Sequence, residues 1–243
     1  GIFECLLILN DRSTTIISRD INLKGILMET SKMKFYDCAV APNPRRARIF
    51  IAEKGLDIPK VEVDIIGGEN LKDEFLSVNP RGLLPVLELD DGTRFDETMA
   101  ICKYLEDLYP EPPLLGTTPV ERAQRECLQR KMEFDGMIAT SEAFRNDTKN
   151  ENFAYRSLPG NNAIGAIEGL VERGHNSLKL FYHWLETYLK DSKFIAGDRF
   201  TMADITALCA VDFAKWVELE IPKENTNSLR WYEEVSSRPS AQA

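Results

Sequence analysis

Between Met33 and Tyr109 the apolar residues follow two spacings in turn. A period of two predicts strands, and a spacing of three to four residues predicts helices. On this basis we predict strands at 34–38, 61–65, 86–89 and 93–95 and helices at 45–54, 71–78 and 97–109. This order predicts a small α/β domain whose first two strands are parallel and whose last two form an antiparallel hairpin.

After the proline-rich stretch at 110–113, the spacing is helical to the end of the chain. We predict helices at 120–145, from about 163 to 190, at 202–218 and at 227–237. Thr201 followed by Asp204 predicts a capping box at the third of these helices. The predicted organisation is an α/β domain at 33–110, a linker at 111–117 and an all-helical domain at 118–243.

The first 32 residues differ from the rest in charge. The chain has 39 acidic and 30 basic residues and a net charge of −9. Four acidic and four basic residues cancel within 1–32, so the whole excess falls in 33–243. The apolar run at 5–9 is too short for a membrane span, which needs about 18 residues. We expect 1–32 to be a disordered appendage or a non-native upstream extension, with an extra strand or a regulatory arm as the alternative.

Charge and cysteine content narrow the class of protein. An acidic chain lacks the basic face that a general nucleic-acid or anionic-membrane binder needs. The five cysteines are widely spaced and form no CxxC pair, and the two histidines are eight residues apart. This pattern indicates free thiols in a reducing, cytoplasmic setting and no metal site.

Three local features lie where α/β domains bind ligands, and each also has a plain structural reading. Asn43 begins the first helix, and taken alone it is better explained as a cap, with Pro44 at the first helical position, than as a ligand-binding residue. The stretch 96–98 (DET) begins another helix, where Asp96 is the expected cap. Pro85 opens the third strand, and on sequence alone the trans form of the Leu84-Pro85 bond is favoured.

Four motifs in a fixed order resemble the cytosolic glutathione S-transferase family. They are Pro-Asn-Pro at 42–44, the segment 79–87 (NPRGLLPVL), the segment 96–101 (DETMAI) and the capping box at 200–205 (FTMADI). The resemblance covers 33–243. It implies a thioredoxin-like N-terminal domain, an all-α C-terminal domain, glutathione as co-substrate and no metal.

The resemblance also implies roles for individual residues. Pro85 matches the family's cis-proline, and the backbone of Leu84 would pair with the cysteinyl backbone of glutathione. Glu97 matches the acid that holds the γ-glutamyl ammonium. Thr98 matches the hydroxyl residue that, with helix N–H groups, holds the γ-glutamyl carboxylate.

The thiol-activating position departs from the commonest family patterns. Ala41 stands at the position that carries Ser or Thr in some classes. Asn43 stands at the position that carries Cys in other classes, and members similar to the nu class also have Asn there. Asn43 is therefore the catalytic candidate, acting by amide donation to the thiolate. Leu83 replaces a frequent lysine, so Arg45, with Arg173 and Lys179 as alternatives, is the candidate cation for the glycyl carboxylate. Otherwise at least two of the three arginines of the first helix, Arg45, Arg46 and Arg48, are interpreted as a solvated face.

The resemblance implies an enzyme, a glutathione transferase acting on small hydrophobic electrophiles. A glutathione-dependent disulfide reductase or peroxidase is the first alternative, because the catalytic hydroxyl is missing. A non-catalytic glutathione-binding interaction module is the second. We expect a homodimer and a second-substrate site against the long helix, near the side chains of Met132, Asp135, Ile138 and Phe144.

Overall fold

The computed structural model of the chain describes residues 32–243, so the prediction for 1–32 lies, Lys32 apart, outside the described residues. A four-stranded sheet in the order β2-β1-β3-β4 forms the centre of the N-terminal domain. Strand β1 is parallel to β2, and β4 is antiparallel to β3, as predicted. Strand β1 also pairs with β3, antiparallel, which completes the sheet. The strands are β1 (Lys34–Asp37), β2 (Lys60–Glu62), β3 (Val86–Glu88) and β4 (Arg94–Phe95).

Helices of the N-terminal domain cover the sheet and give it a thioredoxin-like arrangement. They are α1 (Pro42–Glu53), α2 (Asp73–Leu76) and α3 (Thr98–Leu108). Helices α1 and α3 pack against each other. Phe35 of β1 and Leu87 of β3 are fully buried, as are Phe50 of α1 and Ile101 of α3. These four side chains belong to one hydrophobic core between the sheet and the two helices.

The C-terminal domain is helical throughout its regular elements, as predicted. Its helices are α4 (Pro119–Lys131), α5 (Ala139–Asn146), α6 (Glu151–Ala154), α7 (Glu168–Leu189), α8 (Met202–Ala214) and α9 (Thr226–Ser236). Helix α8 is buried along almost its whole length and forms the middle of the domain. Within residues 32–243 no helix combines the length and the apolar character that crossing a bilayer requires.

The single helix predicted at 120–145 is interrupted in the structure by a π-helical segment. This segment, Met132–Ile138, joins α4 to α5 without a turn. A Cβ atom on Gly136 would lie 2.8 Å from the Cβ of Ala210 and 3.1 Å from the ring of Phe181. A glycine is therefore required where the π segment crosses α7 and α8. A π segment is common at functional sites, and no spacing in the sequence predicts it.

The predicted capping box at the start of α8 is present. The carboxylate of Asp204 accepts the backbone N–H of Thr201 at 2.9 Å. It also accepts the backbone N–H of Ile195 and the indole N–H of Trp231, each at 2.9 Å. Burial raises the pKa of Asp204 to about 6, against these hydrogen bonds, which favour the charged form. The motif thus ties three parts of the helical domain together.

Candidate functional site

The start of α1 places Asn43 differently from the prediction. Ala41 is the N-cap, Pro42 is the first helical residue, and Asn43 therefore lies inside the first turn. No side chain caps this helix. The capping interpretation of Asn43 is wrong, because Pro42, with its fixed φ and missing N–H, already starts the helix. Asn43 is exposed, and its side chain makes no capping hydrogen bond to the backbone of α1.

Arg46 holds the amide of Asn43 in one orientation. Its Nη1 donates to Oδ1 of Asn43 at 3.0 Å and to Oε1 of Glu133, in the π segment, at 3.0 Å. Its Nε donates to Oγ1 of Thr206 at 3.2 Å. A guanidinium only donates, so the amide oxygen of Asn43 faces Arg46 and the NH2 group is turned away from it. The helical domain thereby orients a donor on the N-terminal domain.

The interpretation of Arg46 and Arg48 as a solvated face is wrong. Arg46 is 1% exposed and Arg48 is 5% exposed. Arg48 pairs with the buried carboxylate of Asp37, with 2.5 Å between Nη1 and Oδ1. Both side chains are buried because carboxylates from other elements meet them. The helical period of α1 does not show which carboxylates the rest of the fold places beside these arginines.

The start of α3 is open. Glu97 is its N-cap and makes no side-chain capping bond, so the predicted capping by Asp96 is wrong. The first backbone bond of the helix runs from the N–H of Ile101 to the carbonyl of Glu97. The N–H groups of the preceding turn therefore have no partner inside the helix. Glu97 is exposed and lies 3.6 Å from Nη1 of the exposed Arg81, a pairing that solvent weakens.

The starts of α1 and α3 meet. The hydroxyl of Thr98 donates to the backbone carbonyl of Asn43 at 3.3 Å. Thr98 is 5% exposed, whereas Glu97 and Asn43 are both exposed. The first turns of two helices, each without a side-chain cap, thus bring two positive dipole ends together. Helix α3 adds its free N–H groups, whereas Pro42 and Pro44 leave only the N–H of Asn43 at the start of α1. Such an arrangement favours a ligand with a negatively charged group.

The Leu84-Pro85 peptide bond is cis, as the resemblance implies and against the expectation from sequence alone. Strand β3 begins at Val86, one residue later. Among the loop and turn hydrogen bonds of residues 32–243, none uses the N–H or the carbonyl of Leu84. The backbone of Leu84 can therefore pair with an extended peptide in the way that one strand pairs with another.

The predicted cations for the glycyl carboxylate are all placed by the structure. Nη1 of Arg45 lies 2.6 Å from Oδ2 of Asp212, and its Nη2 donates to the carbonyl of Ala241 at 3.1 Å. Arg173 pairs with Glu142. The charges of both arginines are compensated inside the chain. Lys179 is exposed and lines a groove of about 560 Å³ on α7.

The region expected for a second substrate is partly apolar. Ile138 is 45% exposed. Asp135 is also exposed, but its carboxyl is partly desolvated by the surrounding protein, which raises its pKa. The ring of Phe144 packs on Phe153 with 5.2 Å between ring centroids. Met132 is 1% exposed and belongs to the core, so it does not line a site. The helical period put all four residues on one helix, but the π segment rotates the faces that they occupy.

Sequence reasoning missed two residues of this arrangement. Arg46 was assigned to solvent, and Glu133 was not considered. The one available signal was the arginine run at 45–48, since three arginines in one amphipathic helix exceed what an apolar core face accepts unpaired. Within residues 32–243 no group of three or more His, Cys, Asp or Glu side chains is arranged to hold a metal ion.

Comparison with protein families gives two matches that follow the two domains. A model described as "Glutathione S-transferase, N-terminal domain" matches residues 35–113. A model described as "Glutathione S-transferase, C-terminal domain" matches residues 168–239. The matches contain β1 to α3 and α7 to α9, respectively.

Individual proteins resemble the chain over most of its length. Glutathione S-transferase 2 of Saccharomyces cerevisiae is 33% identical over 216 residues, 86% of this chain and 88% of the relative. The crystal structure of a glutathione S-transferase domain-containing protein of Marinobacter aquaeolei superimposes with a TM-score of 0.78 at 34% identity, over 85% of this chain and 98% of that one. A glutathione transferase of Phanerochaete chrysosporium, crystallised with oxidized glutathione, shares the fold with a TM-score of 0.70 at 22% identity, over 86% of this chain and 93% of that one.

Proposed function

Because this chain belongs to the glutathione S-transferase family, we propose that it activates the thiol of glutathione for attack on small electrophiles. The observation that carries the proposal is the meeting of the two open helix starts, where the hydroxyl of Thr98 donates to the carbonyl of Asn43. One start suits the γ-glutamyl end of glutathione, and the other suits its sulfur.

The γ-glutamyl group is assigned to the start of α3. When its carboxylate binds, the hydroxyl of Thr98 turns from the carbonyl of Asn43 to donate to it, beside the N–H groups of the first turn, and the helix dipole favours the negative charge. Glu97, which is exposed and makes no capping bond, accepts from its ammonium. The cysteinyl backbone then pairs with Leu84, beside Pro85, where the N–H and carbonyl have no loop or turn partner within 32–243.

Thiol activation is assigned to Asn43. A free thiol of this kind has a pKa of about 8.5 and is mostly protonated at neutral pH. The Asn43 NH2 group, which Arg46 turns away from itself, donates to the thiolate. Together with the dipole of α1, this donation lowers the thiol pKa by about one to two units, worth about 1.4 kcal/mol each.

The chemical step is short. An amide cannot accept a proton, so the thiol proton leaves to solvent. The thiolate sulfur then forms a bond to the electrophilic carbon, and the leaving group departs with its electron pair. The exposed part of the long helix at Ile138 and Phe134 offers the apolar surface that a small hydrophobic electrophile needs. The cation for the glycyl carboxylate comes from a residue other than Arg45, which Asp212 already neutralises.

Retention on immobilised glutathione tests the binding assignment. We expect the protein to be retained and to elute with free glutathione, and we expect it to conjugate glutathione to 1-chloro-2,4-dinitrobenzene. Failure to bind, by a protein whose thermal unfolding is cooperative, overturns the proposal. Reduction of a mixed disulfide without conjugation of the chlorinated aromatic identifies the disulfide reductase instead. Binding without either reaction identifies an interaction module.

The assembly of the enzyme is also proposed. We expect a homodimer, as is common in the family. Sedimentation velocity of the whole chain distinguishes a particle of two 27.6 kDa chains from one.

A further inference from the structure

Two arginines beside the loop between α5 and α7 carry charge that the described residues do not neutralise. Arg145 lies in the last turn of α5, and Arg156 follows α6. Nη1 of Arg145 donates to the carbonyl of Arg156 at 3.2 Å, and Nε of Arg156 donates to the hydroxyl of Tyr155 at 3.1 Å. Arg46 and Arg48, the other buried arginines of residues 32–243, each pair with a carboxylate, whereas the buried Arg156 and the partly buried Arg145 do not.

Arg156 is the more unusual of the two. It is 2% exposed, and its Nη1 has no hydrogen-bond partner in the described part of the chain. Burial, followed by the charge of Arg156, lowers the pKa of Arg145 to about 10. A buried charge without a partner is costly, and two like charges side by side add to that cost. An anion that enters from outside the described chain removes both costs, since guanidinium groups pair well with carboxylates.

Aromatic rings surround the two guanidinium groups. The ring of Phe153 lies 5.0 Å from the guanidinium carbon of Arg145 and 5.5 Å from that of Arg156. Phe144 extends this cluster to Trp216, with 5.5 Å between ring centroids. Trp216 is 49% exposed, so the aromatic surface reaches solvent. A ligand that joins a carboxylate to an aromatic body matches both parts of this surface.

The same loop contacts the N-terminal domain next to the proposed glutathione site. The N–H of Asn161 donates to the carbonyl of Arg81 at 2.7 Å. Gly160 packs so closely that a Cβ there would lie 2.3 Å from that carbonyl oxygen and 2.9 Å from Cδ2 of Leu83. Leu83 directly precedes Leu84. The loop that carries Arg156 therefore lies against the segment to which the cysteinyl backbone is assigned.

We propose that Arg145 and Arg156 form a carboxylate-binding subsite, and that the second substrate is an aromatic electrophile bearing a carboxylate. The role of this subsite in the reaction rests on the proposed function, whereas carboxylate binding by the two arginines does not. The glycyl carboxylate of glutathione is a second source of the same chemistry. The aromatic cluster favours the aromatic acid, because glycine offers nothing to stack on Phe153.

Binding of benzoate, with benzamide as its neutral counterpart, tests the subsite directly. By calorimetric titration we expect benzoate to bind the wild-type protein at least about tenfold more tightly than benzamide. We expect Arg145→Gln and Arg156→Gln each to remove most of that difference. Arg199→Gln, at an exposed arginine, is the matched control and should leave it unchanged. Arg145 is only partly buried, so its variant remains informative if the Arg156 variant fails to fold.

A second comparison distinguishes the source of the carboxylate. Glutathione and its glycine ethyl ester are titrated into the wild-type protein and Arg145→Gln. A penalty for the ester that Arg145→Gln removes assigns the subsite to glycine and overturns the aromatic acid. Equal affinities for benzoate and benzamide, or a preference that both arginine variants keep, also overturn it. Benzoate binding in a protein that immobilised glutathione does not retain supports the subsite and refutes only the proposed transferase.

Discussion

At the start of α9 a carboxylate of the chain accepts hydrogen bonds from the first turn, whereas at the start of α3 no side chain does so. At α9, Oε2 of Glu186 accepts from the N–H and the hydroxyl of Ser228, each at 2.8 Å. Its Oε1 accepts from the N–H and the side-chain amide of Asn227 at 3.1 and 2.6 Å. At α3, where Glu97 is the N-cap, no side chain makes a capping bond to the helix.

The comparison shows what a carboxylate does at such a helix start. Burial opposes the charge of Glu186, but the hydrogen bonds from Ser228 and Asn227 prevail and lower the pKa of its carboxyl. The hydroxyl and N–H groups at α9 are of the same kind as those that Thr98 and its neighbours present at α3. The chain thus uses one arrangement for stability, and we assign its open counterpart to the γ-glutamyl carboxylate.

The largest effect is expected at the filled start. Glu186→Ala leaves the donors of Ser228, which is fully buried, without an acceptor. We expect a loss of about 1–3 kcal/mol in the free energy of unfolding, or a fall in Tm of roughly 3–10 °C. Glu172→Ala, at an exposed residue of the same helix, is the control for differential scanning calorimetry. An unchanged Tm would mean that this carboxylate does not stabilise α9.

At the open start we expect a loss of binding in place of a loss of stability. Thr98→Val removes the hydroxyl and keeps the shape, so glutathione affinity should fall by about tenfold while Tm changes little. The control is Thr226→Val, at the same first position of α9, where Glu186 already fills the helix start. Fluorescence titration with glutathione measures the affinity. A variant that binds as tightly as the wild-type protein contradicts the assignment of Thr98.

Removing the Asn43 amide is expected to change the thiol more than the affinity. Asn43→Ala should raise the pKa of bound glutathione by about one unit, because the NH2 donor is lost. The ultraviolet absorbance of the bound thiolate, followed against pH, measures this value. Asn161→Ala is the matched control, since its backbone N–H, and not its side chain, makes the contact with Arg81. An unshifted pKa with unchanged conjugation would remove Asn43 from the mechanism.

The smallest expected effect is the change, at acid pH, in how much Glu186 stabilises the protein. Because the folded state lowers the pKa of Glu186, its carboxylate adds stability above the unfolded value, about 4.3, and loses that contribution as pH falls through the folded value. The difference in Tm between wild type and Glu186→Gln should therefore shrink below about pH 4. Thermal unfolding at pH 7 and pH 3.5 checks it. A difference that grows in acid contradicts this sign.

The periodic parts of the fold were predictable because their signals are local. Apolar spacing identified the strands, the parallel and antiparallel pairs and the helical second domain, and Thr201 with Asp204 identified the start of α8. The boundaries of α1 and α3 were each misplaced by one to three residues. Both errors came from assigning an Asn or Asp as cap, whereas Pro42 and the extended backbone of Glu97 begin those helices.

The proposed site was predictable only in part. The motif order assigned Asn43, Leu84, Pro85, Glu97 and Thr98, and the structure brings the starts of α1 and α3 into contact at Thr98 and Asn43. Nothing in the sequence indicated that Arg46 orients Asn43, because its other partner, Glu133, is 87 residues away. The choice of Arg45 as a binding cation depended on not knowing that Asp212 pairs with it.

The sequence by itself determined the family, the two-domain order and which helix starts carry hydroxyl and acidic residues. Those properties depend on spacing and short motifs, which are local along the chain and can be recognised without the tertiary structure. Only the tertiary structure decided which charges are compensated, because an ion pair forms between residues that are distant in the chain. Arg46 and Arg48 gained carboxylates in this way, and Arg145 and Arg156 gained none within residues 32–243.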